Sequence, residues 1–285
     1  MVYHTLVFNS LEALIADNDL ITADGYLAHC KNCSTCYYHP SSLIFRSDYW
    51  RGRFTRSLLE LEIPEDKRTL ILGHSDKRIK PHVALVAQYR GFTNTWSINS
   101  SSFGNFLRAL PLGLTNPTNE TEMHQILGNT DILLEAVDYA SNSSGYDRLF
   151  YSNFSIDTNL SSRLKLLAVL DRNKIVHRTP TFTRNGRLNF LKDIRNSAFT
   201  LCPEGNGVDT HRIWETLYLG RVPIITKSKA MKQIVKDLPV IAIDDWEQIS
   251  DKQYFKDKWV EMQKQVYDFR KLQISFWINK FCANI

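Results

Sequence analysis

The stretch Phe199–Ile225, FTLCPEGNGVDTHRIWETLYLGRVPII, constrains the fold more than any other part of this 285-residue chain. The apolar run Ala198–Cys202 predicts a buried strand. A Gly-Asn-Gly loop follows, then a helix that Asp209 or Thr210 can cap and Gly220 can end. Val222–Thr226 reads as the next strand. Strand, tight loop, helix and strand form the unit of a parallel α/β sheet. Open sheets of that kind bind ligands beyond the carboxyl ends of their strands. Polar residues crowd that end here: Glu204, Asn206, Asp209, His211, Arg212 and Glu215.

Helix geometry sharpens the expectation. Arg212 lies three residues before Glu215, and His211 four before it, so all three fall on neighbouring parts of one face. Ile213, Trp214 and Leu217 are left to pack inward. A helix N-terminus offers free N–H groups and a positive dipole end, which suits a diphosphate. The Arg212 guanidinium is a planar fork matched to phosphate oxygens. An ionised Glu215 only accepts hydrogen bonds, and a sugar diol is a fitting partner. The Gly205, Asn206 and Gly207 amides extend the same cradle. The plainer alternative is a tight turn with a surface ion pair between Arg212 and Glu215. No Gly-Lys-Ser/Thr follows the glycines, so the run is no Walker loop, and it lacks the dinucleotide GxGxxG pattern.

CPEGNG–DTHRIWETLYLGRVPII resembles the C-terminal motif of exostosin-like glycosyltransferases. Leu70–Ile79 is similar to that family's N-domain strand and acidic loop. Thr95–Ser101 with Arg108–Asn116 resembles its Trp-x-x-x-Asn and Ile-Pro-x-Gly-Leu stretches, although Trp96 and Asn99 stand only three apart. Arg148–Arg163 resembles its Tyr-x-Asn-Phe segment. Within the family, the compact xylosyltransferases of chloroviruses, which build capsid glycans, are the most similar proteins suggested. The resemblance implies an α/β, GT-B-like fold: two Rossmann-like domains facing a central cleft, with the N-terminal one reduced. It also implies an inverting transfer from a UDP-sugar to a glycan hydroxyl, with no obligatory metal. The viral relatives suggest xylose as the sugar and a fucose-bearing glycan as the acceptor.

Composition is that of a globular domain or two, with 43% hydrophobic and 23% charged residues. A net charge of +5 suits an anionic substrate and is weak evidence on its own. No apolar run is long enough to span a membrane, and no basic, apolar leader opens the chain. The expected location is therefore cytoplasmic, with no nucleic-acid partner and no transmembrane segment. Cys30, Cys33 and Cys36 form a C-x2-C-x2-C run beside His29 and His39. That spacing could clamp zinc or an iron–sulfur cluster, but a fourth cysteine ligand would have to come from Cys202 or Cys282, so a polar loop with reduced thiols is the simpler expectation.

The polar, Gly-containing segment Ser141–Arg148 is the best linker. It divides an acceptor-side domain, 1–144, from a nucleotide-sugar domain, 145–257, with a final helical stretch, about 258–285, returning to the first. In the first domain Thr5–Phe8, Thr69–Gly73 and Thr93–Ile98 read as strands. Leu11–Ala16, Pro81–Tyr89 and Ile132–Ala140 read as helices, and Phe103–Leu107 as a helical turn. In the second, strand-like Arg148–Phe154, Ile175–Arg178, Ala198–Cys202, Val222–Thr226 and Val240–Ile243 alternate with helices.

An inverting transfer needs a base for the acceptor hydroxyl and positive charge for the leaving diphosphate. Asp76, just past a buried N-domain strand, is the chosen base, with His74 second. The alternative for Asp76 is a helix cap. Glu204 is a rival base or a contact to the donor sugar. Arg163, Arg178 and Lys227 are further candidate cations for the donor, and Asn153 and Ser155 candidate polar contacts. No acidic cluster near the motif suggests a metal. Asp244-Asp245 reads as a cap and salt-bridge element. The rival function is a non-catalytic glycan- or polyanion-binding module on the same fold.

Overall fold

Two all-parallel sheets organise the chain. The computed structural model describes residues 13–15, 19–40, 58–73, 79, 81–100, 107–116, 121–139 and 145–282. His74, Asp76, the expected strand Thr5–Phe8 and the first half of the expected linker lie outside the described residues.

Helix α1 (Ala23–Asn32) starts where the Thr22 side chain accepts from Gly25 N. It leads into β1 (Cys36–Pro40), β2 (Thr69–Gly73), α2 (Pro81–Tyr89), β3 (Asn94–Ile98) and β4 (Leu107–Leu110). These four strands lie side by side in chain order. Leu107 was expected to end a helical turn and instead begins a strand, because a short apolar run does not declare its period. Helices α3 (Glu122–Leu127) and α4 (Thr130–Tyr139) follow.

The second sheet contains β5 (Arg148–Asn153), β6 (His177–Arg178), β7 (Ser197–Leu201), β8 (Val222–Thr226) and β9 (Ile241–Ile243). Between them run α5 (Leu160–Arg172), α6 (Arg184–Arg195), α7 (His211–Tyr218) and α8 (Lys229–Ile234). Strand order is β6-β5-β7-β8-β9. The chain steps outward from β5 to β6, then returns past β5 to β7 and continues the other way. That reversal, between β5 and β7, is the point at which such sheets open a crevice for ligands. Every residue of β7 is buried, as a strand covered on both faces requires. Gly220, with φ +65°, lets the chain leave α7 and enter β8. Asp245 caps a short 3-10 turn and Asp244 pairs with Lys227, the expected roles for that acidic pair.

Helix α9 (Lys252–Met262) covers the second sheet, with Phe255 and Trp259 edge-on to Phe199. Helix α10 (Ile274–Cys282) lies elsewhere: Phe281 packs on Tyr26 of α1 and Trp96 of β3. One apolar core holds Trp96, Tyr151, Trp214 and Trp277 together, and so joins side chains from both sheets.

Candidate functional site

A cavity of about 320 Å³ opens beyond the carboxyl ends of β5 and β7. That volume is within the range of small-molecule sites. From the second sheet it is lined by Asn153, Ser155, Arg163, Gly205, Asn206, Gly207, Asp209, His211, Arg212 and Glu215. From the first sheet's side come Asn99, Leu112 and Thr115.

Three contacts hold that seam together. Asn99 sits just after β3 with φ +56°, a left-handed backbone that Asn tolerates, and its Oδ1 accepts from Asp209 N at 3.0 Å. Asp209 spans the seam, accepting from Leu112 N at 2.7 Å and from Trp214 Nε1 at 2.8 Å. The His211 Nδ1–H donates to Gly113 O at 2.8 Å. Gly207 is a glycine for close approach, since a Cβ there would stand 2.3 Å from Asn99 Oδ1. Burial raises the Asp209 carboxyl to about 7 despite the hydrogen bonds that favour its ionised form.

Glu215 does not pair with Arg212. Its Oε1 lies 2.7 Å from Arg187 Nη1, and both side chains are 5% exposed. Arg187 comes from α6, donates its Nη2 to Leu127 O at 2.9 Å, and lies over the Phe190 ring. A partner so distant in sequence leaves no local pattern to read, and Arg187 was missed for that reason. Asn99 entered the sequence reading only as part of a resemblance, and no site role was given to it, because a lone Asn after a strand carries no periodic signal. Phe182, half exposed at the rim with Pro180 and Thr181, was missed as an ordinary loop residue.

Arg163 is buried and spent on the backbone. Its Nε donates to Glu204 O at 3.0 Å, its Nη2 to Pro203 O at 3.4 Å, and its Nη1 to Ser155 O. It therefore ties the loops after β5 and β7 to each other. Burial and, second, the nearby Arg212 charge pull its guanidinium down to about 10. The Arg212 guanidinium, in contrast, makes no hydrogen bond or ion pair with the described residues, and its buried Nε has no acceptor among them. Asn153 Oδ1, Arg187 Nε and Thr210 Oγ1 are likewise buried without a partner among the described residues. All four residues line the cavity. Such atoms also occur away from the cavity, as at Arg221 and Trp246, but the four around this one crevice are hydrogen-bonding capacity that a polar ligand could use.

Other expected contacts lie outside the cavity lining. Arg178 pairs with Asp193 at 2.9 Å, and Lys227 with Asp244 at 2.6 Å. Glu204 offers its main-chain carbonyl to Arg163, and its side chain does not line the cavity. Thr210 stands at the N-cap of α7, but its hydroxyl makes no capping bond.

Among the described residues no helix is long and apolar enough to cross a membrane. Residues 134–285 match the family model of the RXYLT1 C-terminal domain, a span that includes β5 to α10 and the Phe199–Ile225 run. No curated protein matches the chain.

Proposed function

The chain belongs to the RXYLT1 C-terminal domain family, a glycosyltransferase family, and from that premise we propose that it moves a sugar from a UDP-linked donor to a glycan hydroxyl with inversion. The observation that carries this reading is Arg212. It is a cation facing the cavity at the N-terminal end of α7, with no acidic partner among the described residues and a buried Nε lacking an acceptor. A diphosphate is the chemistry that would satisfy it.

In this reading the two sheets act as the halves of a GT-B enzyme, the second holding the donor. Arg212, the first N–H groups of α7 and the Gly205–Gly207 loop take up the negative charge of the departing UDP. No metal is assigned to that role. Arg187 fixes Glu215 Oε1, and Glu215 Oε2 accepts from a sugar diol of the donor. Asn153 Oδ1 and Thr210 Oγ1 supply further polar contacts, and Phe182 at the rim offers a ring face to the base or sugar. Asp76 is assigned as the base, with His74 as the alternative. The base takes the acceptor proton as the acceptor oxygen attacks the anomeric carbon and the carbon–oxygen bond to UDP breaks. The assignment to xylose draws on the family match, which suggests a xylosyltransferase type, and on the sequence resemblance; the fucose-bearing acceptor of viral type draws on the resemblance.

The test is transfer from a panel of UDP-sugars, UDP-xylose first, in EDTA with oligosaccharide acceptors. Transfer that disappears in folded Arg212→Ala supports the site. Wild-type turnover in that variant removes Arg212 from the mechanism.

A further inference from the structure

We propose that His29, Cys33, Cys36 and Cys282 form a structural zinc site, independent of the donor cavity. One potential ligand atom from each of the four lies within 4.8 Å of every other. His29 Nε2 and Cys282 Sγ are 3.3 Å apart. Tetrahedral zinc, with Zn–S near 2.3 Å and Zn–N near 2.0–2.1 Å, holds its ligand atoms roughly 3.5–3.8 Å from one another. Small side-chain rotations therefore bring the set to coordination distance.

The residues converge from separate parts of the chain. His29 lies in the last turn of α1, Cys33 is its C-cap, Cys36 opens β1, and Cys282 ends α10. Sequence alone shows the three-cysteine run with His29 and His39 beside it, and does not show which distant cysteine joins it. The fold brings Cys282 to it and leaves Cys202 in the other sheet, its Sγ against Thr200 O. Cys30, the remaining member of the run, is buried in the same apolar core as Cys36 and lies outside the converging set of four.

The donor chemistry selects the metal. Three thiolates and one imidazole are a structural zinc set, whereas a carboxylate-free, sulfur-rich site disfavours magnesium and calcium. A disulfide would use two of the sulfurs and leave His29 without a role, and all five cysteines stand as free thiols. Neighbouring contacts orient the ligands: Thr35 Oγ1 lies 3.4 Å from Cys33 Sγ, and Lys67 Nζ donates to Cys33 O. On binding, the three thiols release their protons to solvent as the Zn–S bonds form. The ion would then fasten the last helix of the chain to α1 and β1.

The experiment is metal analysis of the full chain purified without chelator, with cobalt reconstitution in parallel. The expected result is about one zinc per chain. Cobalt should give the intense visible bands and thiolate charge transfer of a tetrahedral site. Both should be lost in Cys282→Ser and His29→Ala, kept in Cys202→Ser, and kept in His29→Cys, which preserves four ligands even if other variants fold poorly. Either of two metal results would overturn the site: a wild-type chain with five titratable thiols that takes up neither metal, or metal binding that survives Cys282→Ser and His29→Ala unchanged. A disulfide within the cluster in protein purified under reducing conditions would also overturn it.

Discussion

Arg212 and Arg187 are the same residue type put to opposite uses. Arg187 is buried, paired with Glu215 and hydrogen-bonded to Leu127 O, so it holds the site together. Removing one partner of a buried pair strands the other charge and costs about 3–5 kcal/mol. Arg187→Ala should lower stability by that order in chemical denaturation. Glu215→Ala should also destabilise, which makes it a poor probe of substrate contact. Replacing both by apolar residues should recover most of the loss, as a double-mutant cycle would show. Arg212 has no partner among the described residues, so Arg212→Ala should change stability by less than about 0.5 kcal/mol. Sequence placed both Arg212 and Glu215 in the crevice, because helical spacing and a glycine loop are local signals. It could not name Arg187, because an ion pair between α6 and α7 depends on how the helices pack.

At the scale of elements, α7 is fixed at both ends by other segments. At its start, Asp209 reaches Leu112 N and His211 reaches Gly113 O. At its end, Tyr218 OH accepts from Ile21 N at 2.9 Å and donates to Leu272 O at 2.6 Å, all three buried. Tyr218→Phe keeps the ring and strands the Ile21 N–H, a loss of about 1–3 kcal/mol. A denaturation midpoint equal to wild type would show that this bridge carries no stability. Most elements of the second sheet were legible in the sequence: β8 matches residue for residue, and β5 and β7 differ only at their ends. Their continuous apolar runs, bounded by glycine and polar residues, are the mark of buried parallel strands. In the first sheet, β1 was missed because CYYHP carries neither an apolar run nor a clean alternation. The tail was read as one helical stretch, but Val266 is exposed and the chain turns there before α10.

Across the whole molecule, the two sheets meet on a carboxylate. Asp209 has its pKa raised from 3.8 to about 7 by burial, so the folded chain holds a proton that the unfolded chain releases. The stability tied to this group is full below pH 3.8 and is lost as pH rises through about 7. Denaturant midpoints measured across that window should fall more steeply with pH for wild type than for Asp209→Asn, whatever the absolute stability of the variant. Parallel slopes would mean that Asp209 ionises normally in the folded state. The central claim is that the crevice beside this clasp binds a nucleoside diphosphate through Arg212. Its most direct test is the thermal midpoint with and without millimolar UDP, in EDTA, for wild type and Arg212→Ala. At a hundredfold excess over Kd, binding should add about 2.7 kcal/mol, a rise of several degrees. The account predicts that rise in wild type and none in Arg212→Ala, with equal midpoints in the absence of UDP. An equal rise in both proteins, or none in wild type, would contradict it.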